Sequence, residues 1–258
     1  MQIKHRFSIV ERNEIVDKSS RCMWTKQGTP GREYLLTKRA LSEDAVRNFQ
    51  IGYMPRFVNH QLRGRVILPL YDPSDNLITV GSRAIEPSEF LPVYWHESYD
   101  KQFYLYGMPQ AREAITRYQF CLVMEGQFDV LQAASHGIQN VVGLCGNKLS
   151  EVQISVIERY CDDIILVLDT DENQAGQQGA AKVIADNQYM WGSKKEWDSK
   201  VFPLPPTLNT FHFPSRKIAA VSFPNNTDPD EFIRNSGISQ FKKIVRDKLS
   251  ELRNKNGH

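Results

Sequence analysis

The chain has little of what would mark an exported, membrane-spanning or zinc-stapled protein. Cys22, Cys121, Cys145 and Cys161 stand singly, with no CxxC pair and no histidine at zinc spacing. That argues against a disulfide framework and against a zinc knuckle, and the thiols are expected to be small buried hydrophobes. No apolar run approaches the roughly 20 residues that a spanning helix needs. The opening MQIKHRFSIVERNE has no signal-peptide core. A soluble, intracellular protein without a membrane partner is the expectation.

A dominant charge is also missing, since the formal net charge is only +2. Its distribution is uneven. Residues 1–117 hold 17 basic against 13 acidic side chains, 118–230 hold 8 against 14, and 231–258 hold 7 against 3. An acidic centre between basic segments suits a metal-dependent enzyme acting on a polyanion, and it equally suits an ordinary solvated surface. With 258 residues, 41% of them hydrophobic, the chain can bury the core of one large domain or two modest ones.

What is present centres on residues 120–171. Two apolar runs, Phe120 to Met124 and Ile164 to Leu168, have the length of buried strands. Each ends in acid: Glu125 after the first, Asp169 and Asp171 after the second. Around them the pattern alternates. Strands at 120–124, 140–144, 163–168 and 218–223 are separated by helices at about 127–136, 150–160 and 175–189. Such alternation predicts a parallel sheet flanked by helices, with ligands bound beyond the carboxyl ends of the strands. Glu125, Asp169 and Asp171 fall at that edge, joined by Asp228 and Asp230 after the last strand. Carboxylates converging there need cations, and an all-oxygen ligand set selects Mg²⁺ or Mn²⁺. Asp129, one turn after Glu125, either faces the same site or is an acid favoured by the helix dipole.

The first part of the chain reads differently. Residues 1–31 are polar and end in the breaker cluster Gln27 to Gly31, which predicts a loop or linker. Two short helices follow, the second capped by Ser42. A hairpin comes next, RVILPLY (65–71) and LITVGSRAI (77–85), which should bring Arg63 and Arg65 near Arg83. These arginines either grip phosphate through their planar donor forks or blunt a solvated sheet edge. The aromatic stretch 90–106, with Lys101 inside it, is either packing under a loop or a platform for bases. Residues 191–216 resemble an insertion without a readable role.

Met124-Glu125-Gly126 with Asp129, then Asp169-Thr170-Asp171, resembles the Toprim domain. GREYLLTKRALSEDAVRNFQIGYMP (31–55), LRGRVILPLYDPSDNLITVGSRAI (62–85), the Lys101 segment leading into Leu105-Tyr106-Gly107, and Thr227-Asp228-Pro229-Asp230 resemble, in the same order, the RNA polymerase domain of bacterial-type (DnaG-class) DNA primases. The turn after Asp171 is two residues longer than the usual DxDxAG.

The resemblance implies an α/β chain with a Toprim fold and an N-terminal mixed α/β subdomain. The expected division is an extension at 1–30, the N-terminal subdomain at 31–117, the Toprim domain at 118–240 and a basic helix or tail at 241–258. It implies Glu125, Asp169 and Asp171 as catalytic metal-binding acids, with Asp129, Asp228 and Asp230 in support. It also implies Arg63, Arg65, Arg83 and Lys101 as the face that contacts template and nucleotide. The implied activity is synthesis of short RNA primers on single-stranded DNA from NTPs by metal-dependent nucleotidyl transfer, with one or two Mg²⁺ or Mn²⁺ ions and no zinc. The zinc-binding and helicase-binding parts of such primases are expected to be absent from this chain; either it is an excised or minimal core, or a zinc-binding module and a replicative helicase act in trans. Cytoplasmic replication, in a bacterial cell or in the host of a virus, is implied. A Toprim-type nuclease and a non-catalytic single-stranded DNA-binding adaptor are the alternatives.

Overall fold

Ser8 and Glu11 start the first helix. Ser8 Oγ accepts the Glu11 N–H at 3.2 Å, and Glu11 Oε2 accepts the Ser8 N–H at 2.7 Å. This reciprocal cap satisfies donors that the first helical turn leaves without partners. The computed structural model describes residues 6–58, 60–86, 92–146, 149–167, 217–221, 223 and 227–254. The expectation of a loop over 1–31 is corrected by helix α1 (Ile9–Met23). Its buried stripe, Ile15, Val16, Ser19 and Met23, is narrow and interrupted by a serine, so its apolar period is weak. Ser19 is small because Gly52 packs against it: a Cβ on that glycine would meet Ser19 Oγ at 2.1 Å.

The chain then runs through the short helix α2 (Thr29–Arg32) directly into a π-helical turn, Glu33–Lys38, where an ordinary α-helix is expected from sequence. The Arg39 N–H reaches back to the Tyr34 carbonyl at 3.0 Å. Helix α3 (Glu43–Asn48) follows with Ser42 as its cap, as predicted. Strands β1 (Gly52–Met54), β2 (Arg65–Tyr71), β3 (Leu77–Ala84) and β4 (Tyr94–His96) form an antiparallel sheet in that order.

Helix α4 (Met108–Tyr118) leads into the second sheet: β5 (Phe120–Met124), α5 (Gln127–Ser135), β6 (Val141–Gly143), α6 (Glu151–Ile157), β7 (Asp163–Val167) and β8 (Lys217–Val221). Its order is β6-β5-β7-β8, all parallel. The register aligns Gly143, Met124, Val167 and Val221, so four strands end along one edge. Helices α7 (Pro229–Ser236) and α8 (Ile238–Asn254) close the described chain. Arg253 Nε donates to Asp163 Oδ2 at 2.6 Å and ties the end of α8 to the start of β7. The expected helix at 175–189 and the insertion at 191–216 lie outside the described residues.

Packing explains why β5 is apolar at every position. Leu122 and Met124 enter one core cluster while Cys121 and Val123 enter another on the opposite face. A parallel sheet covered on both faces reads as a continuous hydrophobic run. The first of these clusters also contains Tyr53, Val66, Leu68 and Leu70 from the antiparallel sheet. The two sheets therefore share a core, and each such buried side chain contributes about 1.5–3 kcal/mol. Ile67 and Val80 face the other way, onto Ile15 and Val16 of α1. No helix among the described residues is long and apolar enough to cross a membrane.

Candidate active site

Glu125 leaves the aligned carboxyl edge directly after β5 and is half-buried. The turn that carries it is set by Gly126 and Asp129. Asp129 Oδ2 accepts the Gly126 N–H at 2.9 Å, capping α5, and a Cβ at position 126 would meet that oxygen at 2.6 Å. A larger residue at position 126 would push this carboxylate aside. Asp228 plays a similar local part: its Oδ1 accepts the Glu231 N–H at 2.6 Å at the start of α7.

A basic cleft of about 290 Å³ is lined by Tyr34, Lys38, Arg39, Arg83 and Arg234 together with Ala84 and Ile85. The π-helical turn presents Tyr34, Lys38 and Arg39, β3 presents Arg83, and α7 presents Arg234. Arg39 lies 4.8 Å and Arg83 5.3 Å from the centroid of Phe128, which sits in the first turn of α5, three residues after Glu125. Cation–π contacts thus hold the arginines against the helix that starts at the acidic edge. Burial pulls the Arg83 pKa down, and the neighbouring Arg39 charge adds to that pull. Crowded guanidinium groups of this kind are relieved by binding an anion.

Lys101 enters from another direction. It is exposed at the start of a short 3₁₀ turn, Lys101–Phe103, which is anchored when Gln153 Nε2 donates to the Lys101 carbonyl at 3.0 Å and the Tyr104 carbonyl at 2.8 Å. Its side chain lies beside Gly146, on the loop leaving β6 at the same carboxyl edge.

Comparison with known proteins bears directly on this arrangement. A family described as Toprim-like matches residues 122–206. A DNA primase of Enterococcus faecalis is 26% identical over 260 residues, covering 86% of this chain and 37% of that relative. This chain therefore spans little more than a third of the relative's length. A solved structure of the DnaG catalytic core superposes with a TM-score of 0.75 at 20% identity, covering 93% of this chain and 80% of that one. The DnaG primase catalytic domain bound to ssDNA superposes with a TM-score of 0.72 at 20% identity and the same coverage. The fold is that of a bacterial-type primase core.

Within this fold the expected site residues separate into groups. The Toprim-like match implies a divalent cation; of its expected ligands, Glu125 stands at the strand edge, and Asp169 and Asp171 lie outside the described residues. No group of three His, Cys, Asp or Glu gathers among the described residues. Asp129 and Asp228 each use an oxygen as a helix cap. Asp230 is buried and ion-paired, with Arg39 Nη1 at 2.9 Å and Arg234 Nε at 3.1 Å.

The register divides the expected arginine group. In the hairpin Arg65 pairs with Ala84 and Val66 with Arg83, so the pleat sends Arg65 and Arg83 to opposite faces. Arg65 is 3% exposed; its Nε donates to Ser82 Oγ at 2.8 Å and its Nη2 to the Pro92 and Val93 carbonyls, both at 2.9 Å. Burial lowers its pKa. It braces the sheet and does not face the cleft. Arg63 is exposed on the loop before β2.

The aromatic stretch is largely packing: Tyr106 is fully buried on Phe49 with ring centroids 5.6 Å apart, and Trp95 meets Phe7 at 6.0 Å. Two cysteines also depart from expectation. Cys121 and Cys161 are buried, with burial pushing both thiols up, but Cys22 and Cys145 are only partly covered. Sequence reasoning missed Tyr34, Lys38, Arg39 and Arg234. The Lys38-Arg39 doublet was legible as charge, but the π-helical turn that aims it was not.

Proposed function

We propose that this chain is the catalytic core of a DNA primase, joining ribonucleotides on a single-stranded DNA template by metal-dependent nucleotidyl transfer. The observation that carries the reading is the packing of Arg39 and Arg83 on Phe128, three residues after Glu125 at the carboxyl edge of the parallel sheet. Glu125 with Asp169 and Asp171 would hold Mg²⁺ or Mn²⁺, which when bound supplies Lewis-acid activation of the attacking hydroxyl and charge relief for departing pyrophosphate. The chain's own cations do the rest of the positioning. Arg39, Arg83 and Lys38 hold phosphate oxygens in the cleft, while Lys101 and Arg63 supply exposed charge for the template backbone. The names of the Enterococcus relative and of the ssDNA-bound neighbour support both the activity and the template.

The test is direct. Incubation with NTPs, single-stranded DNA and Mg²⁺ or Mn²⁺ should yield short RNA products that disappear in Asp169→Ala and Glu125→Gln. Products that persist in those variants would sink the site assignment, and cleavage of nucleic acid without NTPs would replace primer synthesis with nuclease action. A separately added zinc-binding module and a replicative helicase should each stimulate synthesis.

A further inference from the structure

Asp230 differs from the other acids of the expected metal set in what surrounds it. Its side chain is 7% exposed. Oδ2 accepts from Arg39 Nη1 at 2.9 Å and from Arg234 Nη2 at 3.2 Å, while Oδ1 accepts from Arg234 Nε at 3.1 Å. One carboxylate thus faces two guanidinium groups with both oxygens engaged. A divalent cation placed there would stand among like charges and would have to displace charge-assisted hydrogen bonds.

The positive charge in the cleft exceeds what this acid balances. Lys38, Arg39, Arg83 and Arg234 line it together. Arg83 has no carboxylate partner among the described residues; its Nε donates to Tyr34 Oη at 2.6 Å and its Nη1 to the Tyr94 hydroxyl. Arg39 and Arg234 come from segments almost two hundred positions apart in the chain, and long side chains of this kind lose much rotamer freedom when ordered. A shared buried carboxylate orders them before any ligand arrives, which lowers the entropic cost of binding.

Resting on the reading of the chain as a primase core, we infer that Asp230 is a positioning residue and not a metal ligand. It fixes Arg39 and Arg234 as a guanidinium pair on one wall of the cleft, and the pair binds a phosphate group. That phosphate belongs either to a nucleoside triphosphate or to a nucleic-acid backbone, which present the same tetrahedral anion.

Equilibrium binding to the whole chain separates these roles. Mn²⁺ is counted by electron paramagnetic resonance; inorganic tripolyphosphate and a short single-stranded oligonucleotide are titrated in EDTA. Asp230→Asn should leave Mn²⁺ affinity unchanged and weaken anion binding about tenfold, even though it makes the cleft more positive. Arg39→Gln should weaken the same anion to a similar degree, and the double variant should lose little more. Glu125→Gln should weaken Mn²⁺ alone. Weakening of tripolyphosphate assigns the pair to a triphosphate, and weakening confined to the oligonucleotide assigns it to a phosphodiester.

Mn²⁺ affinity that falls in Asp230→Asn, or anion affinity that holds or rises, overturns the inference. Should that variant not fold, Arg39→Gln and Arg234→Gln carry the test, and unchanged anion affinity in both overturns it. Primer synthesis is read separately. The expected binding pattern in a chain that makes no primers would overturn the primase reading and leave the role of Asp230 standing.

Discussion

Arg83 Nε donates to Tyr34 Oη at 2.6 Å, and the same hydroxyl oxygen accepts from Arg39 Nε at 3.2 Å. One phenol therefore couples the arginine of the hairpin to the arginine paired with Asp230. A hydroxyl oxygen has two acceptor sites, and here two guanidinium groups occupy them.

Removing that oxygen should loosen the cleft more than the fold. Tyr34→Phe keeps the ring that packs edge-on against Phe128, at a centroid distance of 6.4 Å. Two hydrogen bonds from charged donors are lost, and stability should fall by about 1.5–3 kcal/mol. Oligonucleotide affinity should fall severalfold. Thermal melts and fluorescence anisotropy on the same samples check both; unchanged affinity would mean that the arginines need no common anchor.

Arg65 and Arg83 should give opposite phenotypes. Arg65→Met leaves the Pro92 and Val93 carbonyls and the Ser82 hydroxyl without their donor, and should destabilise the fold by about 1–3 kcal/mol while leaving the salt dependence of DNA binding as it is. Arg83→Ala should bind single-stranded DNA less tightly, with a slope of log affinity against log salt shallower by about 0.7, the value for one phosphate contact on a single strand. Denaturant titrations and salt titrations distinguish the pair, and a reduced salt slope in Arg65→Met would put that side chain back in the interface.

The fold should weaken below neutral pH because of two histidines. Burial pushes His96 below its ordinary value of 6.5, with Lys101 and Arg65 adding to the shift, and burial lowers His60 as well. Between the lowered folded values and 6.5 the unfolded chain binds more protons, so stability rises with pH through that window and is lost as pH falls through it. Urea midpoints followed from about pH 7.5 to about pH 5 should therefore decline, and His96→Gln should flatten part of the decline. A midpoint that stays level in the wild-type chain contradicts this.

Gln132 offers a route to a more stable chain. It is fully buried on α5, and neither its amide nitrogen nor its amide oxygen has a partner among the described residues. Gln132→Leu removes two unsatisfied polar atoms with little change in volume and should raise stability by about 1–3 kcal/mol. A melting temperature that drops in this variant would show that the amide has an acceptor or donor beyond the described residues.

The legible parts of this chain are those in which a residue's role depends on its near neighbours in sequence. The apolar run of β5, the Gly137 that follows α5 with φ of 78°, and the Ser42 cap of α3 all follow from local pattern, and they appear where the sequence puts them. Helix α1 was less legible although its Ser8 and Glu11 cap is written in the sequence, because a serine interrupts its buried stripe. The hairpin's two strands are legible from local pattern, yet the face on which each arginine emerges follows from register. A shift by one residue would have exchanged Arg65 and Arg83.

Sequence alone sufficed for the alternating α/β order and for acids at the ends of buried strands, since hydrophobic period and strand length are local properties. The partners of those acids required the folded chain. Asp230 reads as one more carboxylate in an acidic region until the fold brings Arg39 and Arg234 onto it, and Arg65 reads as a surface cation until the sheet closes over it. A side chain's charge is written in its covalent structure, whereas whether that charge meets a metal, a guanidinium or a carbonyl depends on contacts between distant segments.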